Sequence, residues 1–195
     1  MTRADPSALS VALLVAGALE RVGADYFLGG SLASSLQGEP RATNDIDMVV
    51  DLGPWKVAAF AAALGADFDV DTAALAAALG RGESWTIFYT PVFTKIDLFP
   101  LGDQPFDRSE FARRRVVVVG RDGATLAVKS PADSVLRKLA WYRGGGEVSA
   151  KQWRDVVEVL RVSGQTLDDG YLDHWAPRLA VADLLERARR EAGDG

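Results

Sequence analysis

Hydrophobic positions along the chain follow two spacings, one typical of amphipathic helices and the other of short, partly buried strands. Apolar residues three and four positions apart predict a first helix over residues 7–22, which Pro6 and Ser7 begin and Gly23 ends. Short runs rich in β-branched and aromatic residues predict strands at 25–28, 45–50, 85–89, 92–99, 115–119 and 125–128. Helical spacing returns at 32–37, 54–64, 71–79, 130–143 and 149–162, in two final stretches that begin at Asp168 and Pro177, and in a short segment between 100 and 114.

These elements predict an α/β fold in which helices flank a mixed β-sheet of about five strands. Tight hairpins are expected at Thr90-Pro91 and at Asp122-Gly123. From Ser130 onward the pattern is helical only, which predicts a helical C-terminal part. We therefore expect a core domain over residues 1–129 and a helical extension packed on it over residues 130–195.

A glycine turn follows the predicted strand at 25–28. Gly29 and Gly30 have no Cβ, so the backbone can turn sharply there and approach a ligand closely. Ser31 begins the next short helix, where backbone N–H groups lack intrahelical partners and the helix dipole favours negative charge. The turn therefore predicts a phosphate-binding site, to which the Ser31 hydroxyl adds a donor.

Three aspartates are candidates for a metal site. Side chains alternate along a strand, so Asp45 and Asp47 share one face while Ile46 points into the core. Asp97 lies in the predicted strand 92–99 and joins them if the two strands are neighbours. Carboxylates on one face repel each other unless a cation lies between them, and oxygen-only ligands favour Mg²⁺. The alternative is an ordinary turn followed by acidic residues at a strand edge.

In this order, Gly29–Ser31, Asp45-x-Asp47 and the distant Asp97 resemble the motif of the nucleotidyltransferase superfamily, which has the DNA polymerase β-like fold. The resemblance covers residues from about 10 to 100 well and the rest loosely. It implies a metal-dependent enzyme that transfers an NMP group from an NTP to an acceptor hydroxyl and releases pyrophosphate. Asp45 and Asp47 would hold two Mg²⁺ ions, with Mn²⁺ as a substitute, and Asp97 would bind one of them and accept the acceptor's proton. The glycine turn would hold the phosphates of the NTP.

Further candidate contacts lie outside this motif. Arg41 and Thr43 are in the loop just before Asp45, where residues beside a metal site often contact the ligand. Lys138-Leu139 and Arg154-Asp155 are similar to pairs in small bacterial nucleotidyltransferases, including abortive-infection-type toxins and antibiotic nucleotidyltransferases. That resemblance implies that Lys138 reaches the nucleotide; the alternative is a lysine on a solvated helix face.

Composition narrows the expected partners. The net charge of −5 lacks the strongly basic character of nucleic-acid-binding proteins, so a small molecule or a protein is favoured over tRNA as acceptor. No apolar run reaches the roughly 18–20 residues of a membrane span, no signal-peptide pattern is present, and cysteine is absent. We expect a cytoplasmic protein without a membrane partner. Two alternatives remain within the fold: a toxin with an antitoxin partner, and a non-catalytic nucleotide-binding or scaffold protein.

Overall fold

The computed structural model describes residues 7–37, 45–119 and 123–193. Contacts divide these residues into two units. The sheet unit contains residues 7–32 and the described part of 45–128, and the helical unit contains residues 33–37 and 129–193. The helix that follows the glycine turn is therefore divided, because its first residues belong to the sheet unit and its last residues to the helical unit.

Seven strands form one mixed sheet in the described part of the chain. The strands are β1 Tyr26–Leu28, β2 Asp45–Val50, β3 Phe68–Asp69, β4 Trp85–Tyr89, β5 Thr94–Pro100, β6 Arg115–Val118 and β7 Thr125–Val128. Their order in the sheet is β3-β4-β5-β2-β1-β7-β6. The β2–β5 and β1–β7 pairs are parallel, and the other neighbouring pairs are antiparallel. The α/β class and the mixed sheet are confirmed, but the expected number of strands was too low. The two-residue strand β3 was missed because so short a strand has no period to detect.

Helices precede, separate and follow these strands. The sheet unit contains α1 Ala8–Arg21, α3 Val57–Leu64, α4 Thr72–Gly80 and α5 Pro105–Ala112, and α2 Gly30–Gln37 leads out of it. The helical unit contains α6 Pro131–Gly144, α7 Ala150–Ser163, α8 Asp169–Arg178 and α9 Ala182–Gly193. Short 3₁₀ turns at Pro54–Lys56 and Gly164–Thr166 complete the described elements. None of the helices in the described ranges has both the length and the apolar content needed to cross a membrane.

The core of the sheet unit lies on one side of β2 and β5. Ile46 and Met48 on β2, and Ile96 and Leu98 on β5, have no exposed surface. Each such side chain contributes about 1.5–3 kcal/mol through burial. The first helix, α1, contacts β1, β2 and β7 from this unit. Because side chains alternate, burying these residues turns the intervening positions of β2 and β5 to the opposite face.

Two sequence-based boundaries were wrong. The strand expected from Val92 begins at Thr94, because residues 90–93 form a four-residue turn that closes at the Tyr89–Thr94 pair and holds Phe93 at φ 51. Pro177 does not begin the last helix but lies in the final turn of α8. The chain leaves α8 through Ala180 at φ 55, and Val181 N–H donates to the Ala176 carbonyl, which ends the helix without a glycine.

The second expected hairpin joins β6 and β7. Asp122 lies outside the described residues, whereas Gly123 has φ 80 and the Val119 N–H donates to the Ala124 carbonyl at 2.8 Å. A positive φ of this size favours glycine, which explains the residue type at this turn.

Hydroxyl and carboxylate side chains cap the first turns of three helices in the helical unit. Ser130, Ser149 and Asp168 each accept a hydrogen bond from a backbone N–H in the first turn of α6, α7 and α8. Tyr142 of α6 packs against Trp153 of α7, with ring centroids 5.3 Å apart. These contacts give the helical unit its own buried centre.

Candidate active site

Asp47 and Asp97 lie side by side on two neighbouring parallel strands. The register of β2 against β5 pairs Asp47 with Asp97, and the register of β4 against β5 pairs Asp97 with Thr86. Paired residues share a face of the sheet, so the three side chains form a row. The Thr86 hydroxyl donates a hydrogen bond to Asp97 Oδ1 at 2.5 Å. The row therefore places two carboxylates next to each other and fixes one of them from the neighbouring strand.

A second row lies one step along the same face. It contains Asp45 on β2, Lys95 on β5 and Phe88 on β4, which are paired with each other in that order. Residues two positions apart on a strand share a face, so this row and the row of Asp47 lie on the same side of the sheet. We call the surface formed by Asp45, Asp47, Asp97 and Lys95 the carboxylate face. Strands β2 and β5 are neighbours in the sheet, which is the condition on which the predicted metal site depended.

The glycine turn lies against the carboxylate face. The Gly29 N–H donates to the Asp47 carbonyl at 2.8 Å, which extends the pairing of β1 with β2 up to the turn. Gly30 has φ 58, a left-handed conformation that favours glycine. A Cβ at Gly30 would lie 1.8 Å from Asp47 Oδ2. Gly30 therefore leaves the room that the Asp47 carboxylate occupies. Ser31 follows in the first turn of α2.

Lys95 was not among the predicted site residues, although it belongs to the carboxylate face. Its ammonium contacts Asp97 Oδ2 at 2.7 Å. The pKa of Lys95 is raised, first by this hydrogen bond and then by the attraction of Asp97, Asp45 and Asp47. All three carboxylates therefore act on one ammonium. Period-two alternation would have placed Lys95 beside Asp97, whereas Thr86 could be found only from the register of β4 against β5.

The donor set of the carboxylate face suits a hard divalent cation. Asp45, Asp47 and Asp97 offer oxygen ligands only, and Asp97 has 17% of its side chain exposed. The space that a Cβ at Gly30 would fill is left to the Asp47 carboxylate. Across the described residues, however, no group of three or more His, Cys, Asp or Glu side chains is arranged as metal ligands. Lys95 and Thr86 hold the two oxygens of Asp97 instead.

The remaining predicted contacts have different outcomes. Arg41 and Thr43 lie outside the described residues. Lys138 belongs to the helical unit, where its ammonium contacts Asp155 Oδ2 at 2.9 Å. Both side chains are 8% exposed, so the alternative of a solvated lysine on the surface of α6 is wrong. An ammonium buried with a carboxylate partner is a structural ion pair in its own right. The proposed contact of Lys138 with a nucleotide stays a prediction.

Comparison with known proteins identifies the fold. No protein-family model matches the chain, and no curated protein matches it. Among solved structures, the antibiotic-resistance factor ANT(2'')-Ia in solution is 13% identical, with a TM-score of 0.51, covering 93% of this chain and 99% of that chain. An antigenic nucleotidyltransferase-like protein from Paracoccidioides brasiliensis is 16% identical, with a TM-score of 0.54, covering 95% of this chain and 93% of that chain.

A third structure is that of ANT(2'')-Ia in complex with adenylyl-2''-tobramycin. It is 12% identical, with a TM-score of 0.51, and the match covers 88% of this chain and 97% of that chain. At these identities the likeness extends to the fold and spans nearly the whole of each protein. The chain therefore has the nucleotidyltransferase fold, which is the fold that the resemblance of its glycine and aspartate motif implies.

Proposed function

We propose that this protein is a metal-dependent nucleotidyltransferase, which transfers an NMP group from an NTP to an acceptor hydroxyl and releases pyrophosphate. One observation carries the proposal: Asp47 and Asp97 are paired in register on adjacent parallel strands, with Asp45 on the same face and the Gly30 turn against Asp47. A nucleotide-binding scaffold has no need of the third carboxylate, because two ligands and a phosphate turn are enough to hold a metal-bound nucleotide.

The three aspartates of the carboxylate face and the glycine turn would have separate tasks in this reaction. Asp45 and Asp47 would hold two Mg²⁺ ions, or Mn²⁺ in their place, and Asp97 would bind one of them; the ions would supply charge neutralisation at the phosphates. Backbone N–H groups at Gly30 and Ser31 would orient the β- and γ-phosphates. The acceptor oxygen forms a bond to the α-phosphorus while the bond to the pyrophosphate oxygen breaks, and Asp97 takes the proton of the acceptor hydroxyl.

A cationic small molecule is the acceptor class that we propose. The net charge of −5 would attract such an acceptor and repel the phosphates of tRNA. The structure of the similar protein ANT(2'')-Ia with adenylyl-2''-tobramycin supports a small-molecule acceptor. A protein hydroxyl is the next acceptor to test. The toxin alternative has no further support in the described residues.

The test is an assay of pyrophosphate release with Mg²⁺, each of the four NTPs and a panel of amino-sugar, peptide and tRNA acceptors. Asp47→Asn is compared with Asp67→Asn, which removes the same charge from an exposed position before β3. We expect acceptor-dependent pyrophosphate release from wild type and Asp67→Asn, and a loss of about 10²–10³-fold in Asp47→Asn. Equal activity of the two variants would contradict the proposal, as would the absence of release with every acceptor class.

A further inference from the structure

We propose that Lys95 is the resident cation of the carboxylate face, and that it competes with a divalent cation for Asp97. This inference rests on the proposed function, since it assigns to Asp97 a metal ligand's role. It adds a residue that controls when the metal is bound. In the metal-free protein the ammonium holds Asp97, and the metal must displace it.

The position of Lys95 follows from two strand registers. Pairing with Asp45 on β2 and with Phe88 on β4 places Lys95 in the centre of its row. Alternation along β5 places it on the side of Asp97, to which its ammonium binds at 2.7 Å. The other oxygen of Asp97 accepts the hydrogen bond of Thr86 at 2.5 Å. Both oxygens of the third carboxylate are therefore engaged by side chains of the protein.

Charge makes this contact a competition. A carboxylate can accept several hydrogen bonds, so Lys95 does not exclude a metal from Asp97 by geometry alone. An ammonium and a divalent cation on the same carboxylate repel each other, however, and the repulsion is strong at about 4 Å unless water separates them. The metal therefore has to replace an ammonium that contacts Asp97 at 2.7 Å and that Asp45 and Asp47 also attract.

The exposure and length of the Lys95 side chain allow its ammonium to move away from Asp97. The side chain is 46% exposed, in contrast to the buried ammonium of Lys138, and lysine has a flexible four-carbon stem. Release therefore needs no change in the backbone of β5. Once Lys95 has moved away, the metal no longer shares the carboxylate face with the ammonium. As long as no metal is bound, the ammonium reduces the repulsion among the three carboxylates.

The experiment measures Mn²⁺ binding to the intact protein without nucleotide, by the electron-paramagnetic-resonance signal of free Mn²⁺ at fixed ionic strength. Lys95→Met removes the proposed competitor and Lys95→Arg keeps a cation at the site. Lys151→Met removes one charge from an exposed position of α7 and serves as the matched control. We expect Mn²⁺ affinity to rise about fivefold in Lys95→Met, since an exposed pair contributes up to about 1 kcal/mol. Lys95→Arg and Lys151→Met should bind as wild type does.

A second readout is thermal melting of the same proteins with and without Mg²⁺. Lys95→Met should melt lower than wild type without metal, and Mg²⁺ should raise its melting temperature more than that of wild type. If wild type binds Mn²⁺ and Lys95→Met binds it equally well or more weakly, the competition is disproved while the proposed function stands. If neither protein binds Mn²⁺ with or without NTP, the proposed function fails, and this inference fails with it.

Discussion

Two lysine–aspartate pairs of this protein have the same chemistry and opposite surroundings. Lys138 and Asp155 lie between α6 and α7, and each is 8% exposed. Lys95 and Asp97 lie two residues apart on β5, with 46% and 17% exposure. In the buried pair, each charged group contacts its partner instead of water. The pair on β5 keeps its access to solvent and has two more carboxylates nearby. An ion pair alone therefore does not indicate a functional site. An accessible ion pair with unbalanced charge around it does.

The largest effect is expected in the buried pair. Asp155→Ala leaves the Lys138 ammonium buried without its carboxylate, so the free energy of unfolding should fall by about 3–5 kcal/mol. Urea denaturation followed by circular dichroism measures this. The double variant Lys138→Met/Asp155→Leu removes both charges and should recover most of the loss. A fall below about 1 kcal/mol in Asp155→Ala would mean that the pair is hydrated, and the contrast with Lys95 and Asp97 would disappear.

The matching change on the carboxylate face should act on activity instead. Asp97→Asn removes the group that takes the acceptor's proton, so turnover should fall by about 10²–10³-fold. The free energy of unfolding without metal should change by no more than about 1 kcal/mol, because the lost partner of Lys95 is partly solvated. Initial rates of pyrophosphate release and urea denaturation are measured on the same preparation. A large loss of stability with full turnover would reverse the roles assigned to the two pairs.

Gly30 offers a smaller, separable effect at the edge of the same face. Gly30→Ala places a Cβ in a left-handed backbone and against the Asp47 carboxylate, whereas Gly82→Ala, at φ 74, meets open space. The backbone conformation should cost each variant about 1–2 kcal/mol of stability. Only Gly30→Ala should also weaken the rise in melting temperature with Mg²⁺ and NTP, since it displaces Asp47. Equal responses of the two variants would show that the turn is structural only.

The smallest effect is expected for Lys95→Met in the absence of metal. Loss of a half-exposed ammonium should lower the free energy of unfolding by about 0.5–1 kcal/mol, because the carboxylates lose their counter-charge. The loss should vanish at saturating Mg²⁺, where the ion takes over that charge. Urea denaturation at matched ionic strength tests both statements. A loss that persists in Mg²⁺ would indicate a packing role for the aliphatic stem of Lys95.

The parts of the site that the sequence predicts are those set by local rules. Period two places Asp45 and Asp47 on one face of β2, and the need for a left-handed turn explains Gly30. Local rules do not give the partner of a strand, so the row of Asp47, Asp97 and Thr86 required the registers of β2, β5 and β4. The collision that forces glycine at position 30 is likewise with a side chain from another strand.

Long-range packing also decided the features that the sequence did not predict. The burial of Lys138 depends on Asp155, which lies on the next helix, and helical spacing gives no sign of it. Pro177 was expected to begin a helix because proline favours the first turn, but the backbone at Ala180 ends α8 after it. Strand β3 exists only as a partner of β4.

The central claim is that the carboxylate face holds the metal and the phosphates of the NTP. The most direct measurement is a crystal structure with Mn²⁺ and a non-hydrolysable NTP analogue, in which anomalous scattering locates the ion. The claim predicts metal ions bonded to Asp45 and Asp47, one of them also bonded to Asp97, with the β- and γ-phosphates at the Gly30–Ser31 turn and the Lys95 ammonium moved away from Asp97. An analogue bound elsewhere, or an ion ligated by residues other than these aspartates, would contradict it.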